Sequence, residues 1–323
     1  MFEMYAFRFI EWKVILMDSD KKDFLTRMPV VIIGAFICCA LWGSAFPCIK
    51  IGYSLFDITS SDTDTQILFA GIRFVLAGIL ALLIGSALSG KLLIPRKASW
   101  GRIVRLSMLQ TVAQYVFFYV GLAHTTGVRS SIVEGTNVFV AIMIASLIYK
   151  QEKLTIRKII GSIVGFAGVV LVSSFGANMT SGNYLLGDLL VFLSTIAYAF
   201  SSVLLKKYSV EENPIVLSGY QFCVGGLIMV AIGLIFGGKL PIVTAGGIGM
   251  LIYLALVSAI AYSLWGILIK HNPISRVAVF GFMNPVCGVI LSAILLDEGS
   301  SLGVMSLVSL GLVCLGIYIV NRK

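Results

Sequence analysis

Between residues 30 and 320 the chain is a succession of apolar runs, each long enough to cross a lipid bilayer, with only short polar links between them. The hydrocarbon core of a membrane takes about 20 residues at roughly 1.5 Å of rise each, and backbone inside it must satisfy its own hydrogen bonds. The runs are therefore read as membrane helices, at 30–51, 66–88, 101–122, 128–149, 156–174, 185–206, 214–236, 246–269, 275–296 and 302–320. That predicts an all-α membrane protein of ten helices with the lipid bilayer as its solvent. With 59% of 323 residues hydrophobic and 12% charged, little sequence is left for a soluble domain.

The net charge of +9 does not point to nucleic acid, because the basic residues lie between apolar runs and form no continuous face. They follow the pattern that orients membrane helices instead. One side of the predicted topology receives Lys21, Lys22 and Arg27, then Lys91 to Arg105, Lys150 to Lys158, Lys206, Lys207, Lys270, Arg276, Arg322 and Lys323. The other receives Arg129 and Lys239. Both termini are thus expected in the cytoplasm of a multi-pass plasma-membrane protein, with residues 1–29 as a cytoplasmic segment. No cleaved signal is read there; Met17 opens a polar lead-in, so residues 1–16 are either an upstream start or an amphipathic extension lying on the membrane. The six cysteines lie in apolar runs without ligand spacing, and His124 and His271 are far apart, so neither disulfides nor a metal are expected.

A repeat is detectable by self-alignment. Placing Glu152 on Glu298, an offset of 146, superposes the fourth and ninth helices; two further residues in the second copy bring Gly168 onto Gly316, the offset of 148 also brings Gly71, Phe74 and Gly78 onto Gly219, Phe222 and Gly226, and an offset of 156 brings Lys50 onto Lys206. Two units, 30–174 and 185–320, would each hold five helices. An odd number forces opposite orientations, an inverted repeat with its substrate site near the bilayer midplane. The motifs Leu41-Trp42-Gly43-Ser44 with Lys50, Gly71-Ile72-Arg73-Phe74, Glu152-Lys153-Leu154-Thr155 with Gly161 and Gly168, Asn284-Pro285, Asp297-Glu298 and Gly316 resemble the ten-helix EamA group of the drug/metabolite transporter superfamily. The resemblance implies a secondary carrier for metabolites, amino acids, amines or related compounds, often exported, without a cofactor.

Arg73 and Glu134 are the sharpest candidates for function. Each lies six or seven residues into its helix from the same side, roughly 10 Å deep, so they could form an ion pair between the second and fourth helices or bind substrate or protons. Gln110 and Gln114 share a face of the third helix with Tyr115, and Asn137 follows Glu134 by one turn. The second half contributes Tyr198, aligned with Trp42, Gln221, aligned with Arg73, and Tyr262, Trp265 and Asn284. Such a lining suits a small amphipathic substrate. Pro285 should bend the ninth helix and could act as a hinge. Small-residue spacings such as Gly161–Gly165 and Gly288–Ser292 allow close helix contact, including a possible homodimer contact. Glu298 is expected to cap or to pair with a lysine.

Two other functional classes, an intramembrane enzyme and a channel, fit the sequence less well. An intramembrane enzyme would need a nucleophile with its base, or a metal cluster, and the sequence has no H-E-x-x-H motif and no paired aspartates in its helices. A channel would need a ring of charge or a carbonyl-rich filter, and no such motif is present.

Overall fold

The computed structural model describes residues 24–150, 153–175, 184–240, 242–272, 277, 279–301 and 303–321. The expected extension at residues 1–16, Glu152 and the start of the ninth helix at Ser275 lie outside them. Every regular element among the described residues is helical. In chain order, α1 is Met28–Leu55, α2 Thr63–Ser89, α3 Lys97–Ala123, α4 Gly127–Ile148 and α5 Ile156–Phe175. The second half holds α6 Tyr184–Tyr208, α7 Pro214–Ile235, α8 Ala245–His271, α9 Met283–Leu295 and α10 Val304–Asn321. Seven of these helices, α1 to α4 and α6 to α8, are long and apolar enough to cross a membrane; α9 and α10 are shorter apolar helices.

Local chemistry sets where several helices begin. Thr126, Asn213 and Thr244 accept hydrogen bonds from the backbone N–H of Arg129, Ile215 and Gly247, closing the first turns of α4, α7 and α8. Pro214 follows Asn213 as the first helical residue, where a missing N–H costs nothing. The outer faces are as apolar as the inner ones: Ile33, Leu83, Ile163 and Leu227 are all more than half exposed, at 59%, 61%, 64% and 59%. Helices apolar all round belong in lipid.

Two seams join the halves. On α2, a Cβ at Gly71 would come within 2.6 Å of the Val230 nitrogen and 2.9 Å of the Gly226 carbonyl oxygen. On α7, a Cβ at Gly226 would meet the Val75 nitrogen at 2.6 Å and the Gly71 oxygen at 2.9 Å. The same reciprocity joins α5 to α10, where Gly161 faces the Gly316 oxygen at 2.7 Å and Gly316 the Gly161 oxygen at 2.5 Å. Gly78 meets Gly219 and Gly168 meets Ser309, so both pairs run antiparallel. With Gly71 matched to Gly219, Gly78 to Gly226 and Gly168 to Gly316 by the sequence alignment, the contacts are reciprocal: Gly71 meets the counterpart of Gly78, Gly78 meets that of Gly71, and Gly161 meets that of Gly168.

Three helices depart from the smooth spans expected. α3 is a π-helix over Ser107–Ala113, and α4 breaks at Gly135 and Thr136 between Gly127–Glu134 and Asn137–Met143 before ending in a π-helical Ile144–Ile148. α9 is preceded by a 3-10 turn, Val279–Phe282. An apolar run carries no signal for one extra residue in a turn, so sequence periodicity could not find these sites.

Because the α2–α7 seam has no room for a side chain, Gly71→Val should lower stability by about 1–3 kcal/mol, read as a lower melting temperature in detergent. Gly249, with nothing within 4 Å of its added Cβ, should accept alanine without loss.

Candidate functional site

A cavity of about 740 Å³ lies between the halves. Its inner wall is made of Trp42 from α1, Arg73 from α2, Gln110, Gln114 and Tyr115 from α3, and Glu134 and Asn137 from α4. The second half supplies Tyr198 from α6, Tyr262 and Trp265 from α8, and Asn284 with Pro285 from α9. Three of these polar residues sit where the helices are irregular. Gln110 is within the π-helical part of α3, Glu134 ends the first piece of α4, and Asn284 lies in the first turn of α9. Interrupted helices at membrane depth are tolerated where they line a cavity, and they free side chains to point into it.

Glu134 and Arg73 share the cavity without pairing. The Glu134 carboxylate accepts from the side-chain amides of Asn137 at 2.9 Å and Asn284 at 3.0 Å. The Arg73 guanidinium donates to the Leu254 carbonyl at 3.1 Å, to Ser258 Oγ at 3.0 Å and to the Tyr119 hydroxyl. The expected ion pair is thus replaced by neutral partners that each charged group finds on its nearest neighbours. Arg73 is fixed by α8 and α3, and Glu134 by α4 and α9.

An aromatic group completes the wall. Trp42 stands 5.2 Å from Trp265 and 5.4 Å from Tyr262 between ring centroids, and the Tyr262 hydroxyl bonds that of Tyr115 at 2.9 Å. Gln221 is placed behind the lining rather than in it: its amide donates to Gln110 Oε1 at 2.8 Å and so orients a residue that does face the cavity. Pro285 falls in the first α-helical turn of α9, directly after the 3-10 turn Val279–Phe282, where the helix changes type. The proline inside a helix is Pro47 of α1, next to the lining residue Phe46. Sequence reasoning passed over Pro47, Phe118 and Ser258. Ser258 lies one turn from both Leu254 and Tyr262 on α8, the one pattern that could have singled it out.

The two ends of the cavity differ. At one it is lined by Thr155, Arg157, Lys206 and Ser209, and Thr155, Arg157 and Lys206 are exposed. At the other, Glu298 accepts from the backbone N–H of Gly127 at 3.1 Å and of Val128 at 3.0 Å, with Lys50 Nζ at 3.6 Å. Glu298 therefore caps α4 rather than its own segment, and the lysine it meets comes from α1. Beside it, Arg129 forms an ion pair with Asp188, which also accepts from Thr125 Oγ1 at 2.7 Å, and Arg129 donates to the Val172 carbonyl at 2.7 Å. α4 and α9 close together here, with Gly127 against Ser292 and Gly288 against Ser131.

A family model described as the EamA-like transporter family matches residues 29–174 and again 185–322. An "Uncharacterized transporter" of Archaeoglobus fulgidus is 30% identical over 293 residues, 87% of this chain and 95% of that protein. "Uncharacterized transporter YvbV" of Bacillus subtilis is 27% identical over 88% of each chain. "Uncharacterized inner membrane transporter YedA" of Escherichia coli is 25% identical over 91% of this chain and 92% of its own. A solved crystal structure superposes with a TM-score of 0.62 at 16% identity, over 90% of this chain and 96% of the other, and shares the fold.

The buried Arg129–Asp188 pair offers a test of the closed end. Asp188→Ala should cost about 3–5 kcal/mol by leaving a buried guanidinium without its carboxylate, and adding Arg129→Met should recover most of that loss in thermal unfolding.

Proposed function

We propose that this chain, which belongs to the EamA-like transporter family, is a secondary carrier that moves a small metabolite across the plasma membrane by alternating access. It is an integral, multi-pass membrane protein of the drug/metabolite transporter superfamily. The observation that carries the mechanism is the cavity itself. Charged and aromatic residues from both halves line it, and it is open at one end while a carboxylate, two backbone N–H groups and a lysine hold the other shut. A pore conducting in this state would be open at both ends.

On this reading ten helices form two inverted units. The antiparallel course of α2 against α7 and of α5 against α10 supports it, because corresponding helices of a parallel repeat would run the same way. The open mouth carries the basic residues Arg157, Lys158 and Lys206, so the positive-inside rule turns it to the cytoplasm and leaves both termini on that side. Loading from the cytoplasm fits export. The step to the opposite state separates α4 from α9 at Glu298 and brings the halves together at the basic end. Arg73, Glu134 and the aromatic wall hold the cargo meanwhile, and Glu134 is the group placed to carry a proton if transport is proton-coupled.

Purified protein in sealed proteoliposomes should exchange a labelled substrate against unlabelled substrate trapped inside, without net chemical change; conversion of the compound, or flux without trans-stimulation, would point to an enzyme or a channel instead. The closed end has its own test. In a background lacking the six native cysteines, Ser131→Cys is buried against Gly288. Adding Glu298→Gln should raise its labelling by an impermeant maleimide applied outside on the order of 10-fold, since losing one charged contact shifts the two-state balance by about that factor.

A further inference from the structure

We propose that the start of α3 binds the headgroup phosphate of an anionic phospholipid between Lys97 and Arg105, over a notch left by Gly101. The site lies on the outside of the helix, away from the cavity, and is independent of what the carrier moves. Its placement in the cytoplasmic leaflet follows from the orientation given above.

The exposed side of this helix end is a single arc. Lys97, Trp100, Gly101, Val104, Arg105 and Met108 are exposed, whereas Ser99, Ile103, Leu106 and Gln110 on the opposite side are buried. At about 100° per residue the exposed six fall within roughly 140° of the circumference. Trp100, Val104 and Met108, 44%, 45% and 46% exposed, recur every fourth residue and make an apolar stripe suited to acyl chains. Lys97, Gly101 and Arg105 repeat the spacing one residue further round. A Cβ added at Gly101 meets nothing within 4 Å, so bare backbone lies in an open notch between the two cations. Arg105 is five residues past Trp100, roughly 7 Å further along the helix, beside side chains that face lipid. An arginine there lays its stem along the apolar surface and carries its charge out to a phosphate.

The carboxylates beside this end are already engaged. Arg102 donates to Glu211 at 2.6 Å, and Arg96, Ser99 Oγ and the Asn213 backbone N–H donate to Glu212 at 3.3, 2.6 and 3.0 Å. Neither Lys97 nor Arg105 has an ion-pair partner among the described residues. The same contacts hold the helix start in place, together with Trp100 edge-on to Tyr220 at 5.6 Å and the Tyr220 hydroxyl donating to the Leu93 carbonyl at 3.4 Å. Two long cationic side chains are thus presented from a fixed backbone on either side of one gap. The guanidinium takes a phosphate by paired N–H bonds and the ammonium acts as a point charge. Trp100 marks the level of the membrane interface, where headgroups lie. A zwitterionic lipid brings its own cation next to the phosphate, so the pair selects a headgroup with net negative charge.

The test uses the full-length protein in nonionic detergent, with phosphatidylglycerol or phosphatidylcholine of the same acyl chains added at equal mole fraction. Lipid retention is read by native mass spectrometry and stabilisation by thermal shift. Phosphatidylglycerol should be retained and raise the melting temperature, and phosphatidylcholine should be retained about 10-fold less. Lys97→Gln with Arg105→Gln should cut phosphatidylglycerol retention roughly 10- to 30-fold, as expected for two basic contacts. Gly101→Leu, which keeps both charges and fills the notch, should cut it several-fold. Lys150→Gln with Lys153→Gln, which removes the same charge from the exposed link between α4 and α5, should leave it unchanged. The proposal is overturned if the two lipids are retained equally, or if millimolar inorganic phosphate gives the same stabilisation. It is equally overturned if the Lys150 and Lys153 changes cost as much as those at Lys97 and Arg105, or if the latter variant, with an unaltered melting temperature in phosphatidylcholine, retains phosphatidylglycerol as wild type does.

Discussion

Lipid offers the backbone no hydrogen-bonding partner, and a peptide group left unpaired there costs several kcal/mol, so any departure from a regular helix has to be sheltered. In this protein the departures in α3 at Ser107–Ala113, in α4 at Gly135 and ahead of α9 at Val279–Phe282 all adjoin the cavity. The break in α4 is also patched locally. The Gly135 and Thr136 amides donate to Ile132 and Val133 at 3.2 and 3.0 Å, and Thr136 Oγ1 returns a bond to the Val133 carbonyl at 2.7 Å. That economy puts Glu134 at a helix end, where its side chain reaches both Asn137 on the next piece and Asn284 on α9. The site is thus a consequence of where the helices are allowed to be irregular.

Much of this was legible in the residues alone. In a run of Leu, Ile and Val, a Gln, Arg, Glu or Asn that points to lipid has no partner, so Arg73, Gln110, Gln114, Glu134, Asn137 and Asn284 had to face inward, and all line the one cavity. What failed was pairing. Equal depth suggested that Arg73 meets Glu134, yet depth along a helix says nothing of rotation about it, and each group is satisfied by neutral partners nearer by. Gln221 shows the same limit: its position in the repeat marked it as a counterpart of Arg73, and it instead supports Gln110. The alignment of the repeat agrees with the seam, since Gly71 touches Gly226, the counterpart of Gly78, and Gly78 touches Gly219, the counterpart of Gly71.

The contacts that join the halves are of two physical kinds, and the difference bears on how a carrier would move. Along α2–α7 and α5–α10, backbone lies against backbone through glycines, with Val230, Cys223, Leu82 and Val320 packed close beside it. Such seams tolerate small rotations and resist separation. α4 and α9 meet otherwise, at one end only, through a carboxylate on two N–H groups and a lysine that is partly exposed. Water can replace those partners at little cost, because a charged contact at the membrane surface exchanges one set of hydrogen bonds for another. Rocking about the glycine seams while the Glu298 contact opens would therefore spend energy only where the structure has made it cheap to spend. The Arg129–Asp188 pair is the exception, too buried to open freely, and it binds α4 to α6 within the arrangement that moves. A hinge in the middle of α9 is not needed on this account. α4 is already cut at Gly135, and the Glu134 side chain that accepts from Asn284 lies at that cut, so a carboxylate lining the cavity also lies where the helix has the least resistance to bending.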